Sequence, residues 1–366
     1  MRPDLQHLIA ITRIPGVGAV MAKTLISYCG GAQAVFAAKR TDLLAIPGIG
    51  PQTVESVLRQ QVLQEAGKEL RFIEREGIRA ISYLDEDYPR RLRKHPDCPL
   101  VLFFRGNAEL QARRTVAIVG TRQPTTHGKI FCEELVDALV PYRPLVVSGL
   151  AYGIDITAHR ACLAAELPTL GVLAHGLDRI YPHQHQRTAR AMAECGGLLT
   201  EFPKGTVPNR ENFPMRNRIV AGLADAIIVV ESAKRGGSII TAQLGINYGK
   251  DIFAVPGRPR DKYSEGCNEL IRTNKATLLQ QADDIAQMLN WDVTDAEQLA
   301  RQRQLFTELT ETEKRVIDLL QAKEEIGVDQ LGHQVALADN ELAGLLLELE
   351  FKGIVRSLPG KRYILS

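Results

Sequence analysis

Between residues 115 and 254, six short apolar runs alternate with helix-patterned segments, and this alternation limits the fold more than any other feature of the chain. The runs are Thr115–Val119, Leu145–Val147, Thr169–Leu173, Leu198–Thr200, Ala226–Val230 and Ile252–Ala254. A strand apolar on both faces must be covered on both, and strands joined through helices run parallel. The pattern predicts an α/β fold with a Rossmann-like, doubly wound, mostly parallel sheet. Five of the runs end in loops rich in Gly, Ser, Thr or charge: Gly120-Thr121-Arg122, Ser148-Gly149-Leu150-Ala151, residues 174–178, residues 231–238 and Pro256-Gly257-Arg258. In a doubly wound sheet these loops share the carboxyl edge, where ligands bind.

Smaller units are expected on either side. Near the N-terminus, Ile14-Pro15-Gly16-Val17-Gly18 and Ile46-Pro47-Gly48-Ile49-Gly50 each interrupt helical patterns. Such a turn presents backbone N–H groups at the start of the next helix, in the manner of a helix-hairpin-helix (SAM-like) motif. It serves equally well to bind phosphate or only to pack helices, and Gln52 and Glu55 after the second turn supply no basic group. A strand over Ala80–Tyr83 and another over Leu100–Arg105 follow, with a junction near Gly106–Arg113. At the other end, Thr310 and Glu313 form a capping box before a helix over Thr310–Gln321. Helices over Val328–Val335 and Asn340–Lys352 come next, then two strands around the Pro359-Gly360-Lys361 turn, which together make a winged helix. The expected domains are a helical unit over 1–106, the Rossmann-like unit over 107–288, a linker over 289–305 and the winged helix over 306–366.

Charge separates these parts. The 366 residues carry a formal net charge of only +2. Residues 1–114 account for +5 and 115–280 for +4, whereas 281–304 carry −3 and 305–366 carry −4. The first two parts suit a polyanion and the last two do not. Glu341, Glu348 and Glu350 on the helix that would read a groove favour protein contact over DNA contact there. No stretch approaches the ~20 apolar residues of a membrane span, and the polar N-terminus is unlike a signal peptide, so a cytoplasmic protein is expected. Six cysteines without a CxxC pair argue against zinc and against a disulfide framework.

Several chemistries lack their motifs. No GxxxxGK[ST] loop, no GxGxxG after a strand and no GxSxG elbow occurs. Asp155 and His159, four apart after Ser148-Gly149, are read as orienting that loop rather than as a hydrolase pair. His183-Gln184-His185 has no further metal-ligating partner at a usual spacing. The carboxyl edge instead offers Arg122, the Arg-rich segment 209–218, and Lys234-Arg235-Gly236-Gly237-Ser238 before a helix. Guanidinium groups and helix N-termini both suit phosphate. The candidate phosphate-binding set is Gly120, Thr121, Arg122, Ser148, Gly149, Arg216, Asn217, Arg218, Lys234, Arg235, Gly237, Ser238 and Thr241. No metal, cofactor or catalytic residue is expected.

Val116 to Arg122, Ser148 to Asp155, Gly176 to Pro182, Phe213 to Gly222 and Gly237 to Ala242 together resemble the bacterial DNA-processing protein A (DprA/Smf) family over essentially the whole chain. The resemblance implies a non-enzymatic protein that binds single-stranded DNA, dimerises through the Rossmann-like unit and loads RecA recombinase in natural transformation or related recombination. It places Arg122, Ser148, Gly149, Arg216, Asn217, Arg218, Gly237 and Ser238 in the DNA pocket. The chain departs from the family pattern at Arg235 and at Asn274-Lys275. With aromatics at 5% of residues, no platform for base stacking can be picked out. The alternative is a Rossmann-like nucleotide phosphoribohydrolase with Glu231 as its acid, although the Pro-Gly-Gly-x-Gly-Thr loop of that group is missing.

Overall fold

The structure, a computed structural model, describes residues 3–59, 61–291, 310–322, 326–335, 337, 339–351, 355–358 and 362–365. The chain divides into two compact units, residues 1–291 and 292–366.

The first unit is built on one nine-stranded sheet. Its strands are β1 (Arg79–Ser82), β2 (Val101–Gly106), β3 (Thr115–Val119), β4 (Leu145–Ser148), β5 (Thr169–Val172), β6 (Gly196–Thr200), β7 (Ala226–Val229), β8 (Asp251–Ala254) and β9 (Thr277–Leu278). They lie in the order β1-β2-β6-β5-β4-β3-β7-β8-β9. All pairings from β6 to β9 are parallel, and β2 joins both β1 and β6 antiparallel. Each of the six apolar runs is a strand of this sheet. Alternation along the central strands explains why they are apolar throughout. Ala117 and Val119 with Val147 and Leu170 enter one buried cluster, and Val116 and Ile118 with Val146 and Ile228 enter another. The sheet is thus covered on both faces, as a parallel sheet must be.

The helical part ahead of it comprises α1 (Pro3–Thr12), α2 (Ala19–Cys29), α3 (Ala32–Ala37), α4 (Arg40–Leu44), α5 (Pro51–Leu58) and α6 (Gln61–Arg75), and further along the chain come α7 (Arg90–Arg93), α8 (Thr126–Leu139), α9 (Ile154–Ala164), α10 (Gln186–Glu194), α11 (Asn212–Leu223), α12 (Gly237–Asn247) and α13 (Glu265–Arg272). Gly16 and Gly48 hold φ of +76° and +81° at the two hairpin turns, and Gly18 and Gly50 cap the helices that follow. Val17 and Ile49 between them are buried. The N-terminal helical part packs against the sheet: its core runs on through Leu100, Val101, Phe103, Leu173 and Leu198. The buried Glu69 carboxylate accepts the Lys204 N–H at 2.9 and 3.1 Å. The two strands expected between residues 80 and 105 form as β1 and β2 and belong to the nine-stranded sheet. Phe103 opposite Thr200 ties β2 to the far edge of the sheet. Pairing across nearly a hundred residues leaves no mark in a local pattern.

The winged-helix unit has helices Glu311–Ala322, Val328–Val335 and Asp339–Phe351 and strands Ile326–Gly327, Val355–Leu358 and Arg362–Leu365. Its capping box forms: Glu313 N–H donates to Thr310 Oγ1 at 3.3 Å, and Thr310 N–H donates to Glu313 Oε2 at 2.7 Å. Leu342, Leu346 and Leu349 make the buried stripe of its last helix, while Leu347 stays 56% exposed. Glu350 on that helix accepts from Ser357 N–H and Oγ at 3.1 and 2.7 Å, which ties the wing to the helix. Of the linker expected over 289–305, residues 292–305 lie outside the described residues. Among the described residues no helix is long and apolar enough to cross a membrane.

Candidate functional site

The chain steps outward from β3 through β4 and β5 to β6, then returns to place β7 against the other side of β3. Strand order reverses between β3 and β7, so the loops after these strands diverge and leave a crevice at their carboxyl ends. A cleft of about 390 Å³ opens there. Gly120, Thr121 and Arg122 line it at the end of β3, Gly149 in the loop after β4, and Asp155 from the first turn of the helix Ile154–Ala164 that follows. Phe213, Arg216 and Asn217 come from α11 (Asn212–Leu223), and Ser232 and Gly236 follow β7. Gly237, Ser238 and Thr241 come from α12 (Gly237–Asn247), and Lys262 and Tyr263 from the loop after β8.

Tight turns bring these groups together. At Gly149 a Cβ would lie 2.4 Å from both Arg216 Nη atoms and from Asp155 Oδ2. Gly153, at φ +83°, leaves room for the Thr121 carbonyl, which a Cβ would approach to 2.2 Å. The loop that begins at Gly149 is held from beneath by the two residues expected to orient it. Asp155 accepts the Ala151 N–H at 3.3 Å. His159 is fully buried, and burial pulls its pKa down to about 4, so the ring is neutral near pH 7. Its Nε2–H donates to the Gly149 carbonyl at 2.5 Å, which leaves Nδ1 to accept from Thr169 Oγ1 at 2.7 Å.

Arg216 is the charged floor of the cleft. It is only 5% exposed, and it donates to the Val172 carbonyl and, at 3.3 Å, to Asn217 Oδ1. Burial opposes the charge on Arg216 and on Asp155 alike, and each offsets part of that cost for the other. A guanidinium held this way is under-solvated and favours an anion that completes its shell. Arg122 stands exposed at the mouth, its guanidinium carbon 5.0 Å from the centre of the Phe213 ring. The N-terminus of α12 has no side-chain cap, and Gly236, Gly237 and Ser238 at that end line the same space, where the helix dipole favours an anion. The site is thus a cationic slot with an aromatic wall.

Nine of the thirteen sequence-selected residues line this cleft: Gly120, Thr121, Arg122, Gly149, Arg216, Asn217, Gly237, Ser238 and Thr241. The other four do not. Ser148 is fully buried and its hydroxyl donates to the Ile118 carbonyl at 2.6 Å. Arg218 turns away from the cleft, pairs with Glu201 and donates to the Asp97 carbonyl. Lys234 and Arg235 stand exposed on the turn before α12, outside the lining. Conversely, Phe213, Lys262 and Tyr263 were missing from the set. The expectation that no stacking surface can be found is overturned, because two rings border the cleft despite the low aromatic content. Their signals were local: Phe213 sits in the Arg-rich segment, and Tyr263 lies six residues past the Pro256-Gly257 loop.

The geometry bears on the competing chemistries too. His159 faces a carbonyl, not the Ser148 hydroxyl, so these residues do not assemble a nucleophile and base. Glu231 accepts from Thr125 N–H at 2.8 Å and from Thr125 Oγ1 at 2.5 Å, which engages both of its oxygens at the start of α8 (Thr126–Leu139). His185 Nδ1 lies 2.9 Å from the Leu150 carbonyl.

Comparison with known proteins agrees with this architecture. The profile of the family described as DNA recombination-mediator protein A matches residues 79–290. A DprA winged helix domain matches 304–361, and a SAM-like helix-hairpin-helix tandem matches 8–60. Protein Smf of Synechocystis is 32% identical over 98% of both chains. The DNA processing protein DprA of Bacillus subtilis is 40% identical over 58% of this chain and 72% of its own. The crystal structure of DNA processing protein A from Streptococcus pneumoniae superposes with a TM-score of 0.69 at 29% identity, covering 80% of this chain and all of that one. A Helicobacter pylori DNA processing protein A, whose structure was studied for its single-stranded DNA binding mode, gives a TM-score of 0.54 at 29% identity over 59% of this chain and 97% of that one. The chain belongs to the DNA-processing protein A (DprA/Smf) family.

Proposed function

We propose that this chain binds single-stranded DNA without sequence preference at the carboxyl edge of its sheet, and that it is not an enzyme. The observation that carries the proposal is the cleft itself: the buried Arg216, the exposed Arg122 and the uncapped start of α12 converge on one slot beside the Phe213 ring. Cations and helix N–H groups hold phosphates in this reading, and the ring offers a face to any base. With no base edge read in this proposal, affinity follows phosphate neutralisation and falls steeply with salt. The single-stranded DNA binding mode studied in the Helicobacter pylori relative supports the same polymer class.

The role extends, in the same proposal, to a cytoplasmic homodimer that delivers its strand to RecA recombinase in natural transformation or related recombination. Two copies of the cleft raise avidity for a long strand. The winged helix is assigned to protein contact: its last helix presents Glu341, Glu348 and Leu347 at the surface.

Fluorescence anisotropy tests the core of this reading. A labelled oligonucleotide is titrated with wild type and with Arg122→Ala/Arg216→Ala at two salt concentrations, with melting of both proteins recorded. Salt-sensitive wild-type binding that collapses in the folded double variant is the expected result. Binding unaffected by the substitutions moves the site elsewhere, and absence of binding at low salt removes the DNA reading altogether.

A further inference from the structure

The cleft is not the only recess on this edge. A second groove of about 950 Å³ adjoins it, lined by Thr125, His127, Arg258, Arg260, Lys262 and Tyr263 among others. Lys262 and Tyr263 line both spaces, so the two are continuous across one ridge. The groove's cations come from a single loop between β8 and α13 (Glu265–Arg272). Arg258, Arg260 and Lys262 are all exposed. Among the described residues, neither the Arg258 nor the Arg260 guanidinium has a hydrogen-bond or ion-pair partner. The Lys262 ammonium rests 5.4 Å from the centre of the Tyr263 ring.

The loop that carries them is nevertheless well anchored. Asn268 bonds both backbone groups of Gly257, at 3.1 and 2.9 Å. Ser232 N–H donates to the Tyr263 carbonyl at 2.7 Å, which stitches the loop's far end to the segment after β7. The Tyr263 hydroxyl donates to the Gln123 side chain, next to Arg122. The groove's acids are Glu231, already engaged by Thr125, and the exposed Asp261. Three cations on a fixed loop, two of them unpartnered, face a solvent-filled groove that opens into the cleft.

We infer that the bound strand runs on from the cleft over the Tyr263 ridge into this groove, where Arg258 and Arg260 neutralise two further phosphates. This rests on the single-stranded DNA reading and adds a second arm to the same site. The arm recognises the phosphodiester backbone, because its donors are guanidinium groups without a pocket for a base. A ligand of one or two nucleotides fills the cleft alone. A longer strand engages both.

The test compares ligand length and salt slope in wild type, Arg258→Ala/Arg260→Ala and Arg122→Ala, each in the full chain. The two arginines are exposed and unpartnered, so the double variant is expected to melt with wild type. For a 20-nucleotide oligomer, removing two phosphate contacts should flatten the plot of log K against log salt by about 1.4, at roughly 0.7 for each phosphate on a single strand. A dinucleotide competitor should inhibit wild type and the double variant equally. Arg122→Ala should weaken both lengths. An unchanged slope for the long oligomer, or equal loss for both lengths, overturns the second arm while leaving the cleft intact. If wild type binds neither ligand, the cleft reading falls and this inference falls with it.

Discussion

Gly149→Ala should damage this protein through packing alone. Gly149 does not have a positive φ, so alanine meets no backbone penalty there. Its Cβ, however, would sit 2.4 Å from Arg216 Nη1, Arg216 Nη2 and Asp155 Oδ2. Neither neighbour can step aside freely: Arg216 is tied to the Val172 carbonyl, and Asp155 holds the Ala151 N–H. Overpacking of this kind costs about 1–3 kcal/mol. At roughly 2–4 °C per kcal/mol for a domain of this size, the 1–291 unit should melt about 2–12 °C lower. Displacing the Arg216 guanidinium should also weaken the protein's hold on an oligonucleotide at temperatures where the variant is folded. Differential scanning calorimetry and anisotropy read the two effects. A Gly149→Ala protein that melts and binds like wild type would refute the close approach of this loop to Arg216 and Asp155.

Other substitutions probe separate parts of the chain. Thr310→Ala removes the oxygen that caps Glu313 N–H and should cost the winged-helix unit about 1 kcal/mol in chemical unfolding. Gly344→Ala, at an exposed position inside a helix with nothing within 4 Å of the new Cβ, should stabilise the same unit by about 1 kcal/mol, and a drop in its melting point would contradict the helix there. His159 gives a pH signature. Its pKa falls from 6.5 to about 4 on folding, so the unfolded chain binds the proton first as pH drops. The stability conferred by the neutral ring is full above pH 6.5 and is lost as pH falls towards 4, by about 3 kcal/mol in all. Burial raises Asp155, Glu69 and Glu201, which act with the opposite sign, so the wild-type profile is read against that of His159→Gln. The variant should show a flatter decline across that window; parallel profiles would mean the ring is not buried neutral.

The central sheet and the edge that carries the site were legible in the sequence because burial on both faces writes itself into consecutive apolar residues such as Val116 to Val119. The Gly-rich loops after those strands pointed to the cleft for the same topological reason. What stayed hidden depended on direction and on distant contacts. Arg216 and Arg218 look equivalent in sequence, but two residues span roughly 200° around a helix. One therefore faces the cleft and the other reaches Glu201. Ser148 ends its strand beside Gly149, yet its hydroxyl is spent on a neighbouring strand's carbonyl. Lys262 and Tyr263 reach the site only because Asn268 and Ser232 fold their loop back, and neither contact follows from spacing. The pairing of β2 with β6, which draws residues 79–106 into the sheet, is invisible for the same reason.

The most direct test of where DNA lies is photo-crosslinking of a bromodeoxyuridine-substituted single strand to the full chain, with the adducts mapped by mass spectrometry. Adducts at Phe213 and Tyr263 are the predicted outcome. Adducts confined to the hairpins at 14–18 and 46–50, or to the winged helix, would contradict binding at the carboxyl edge of the sheet.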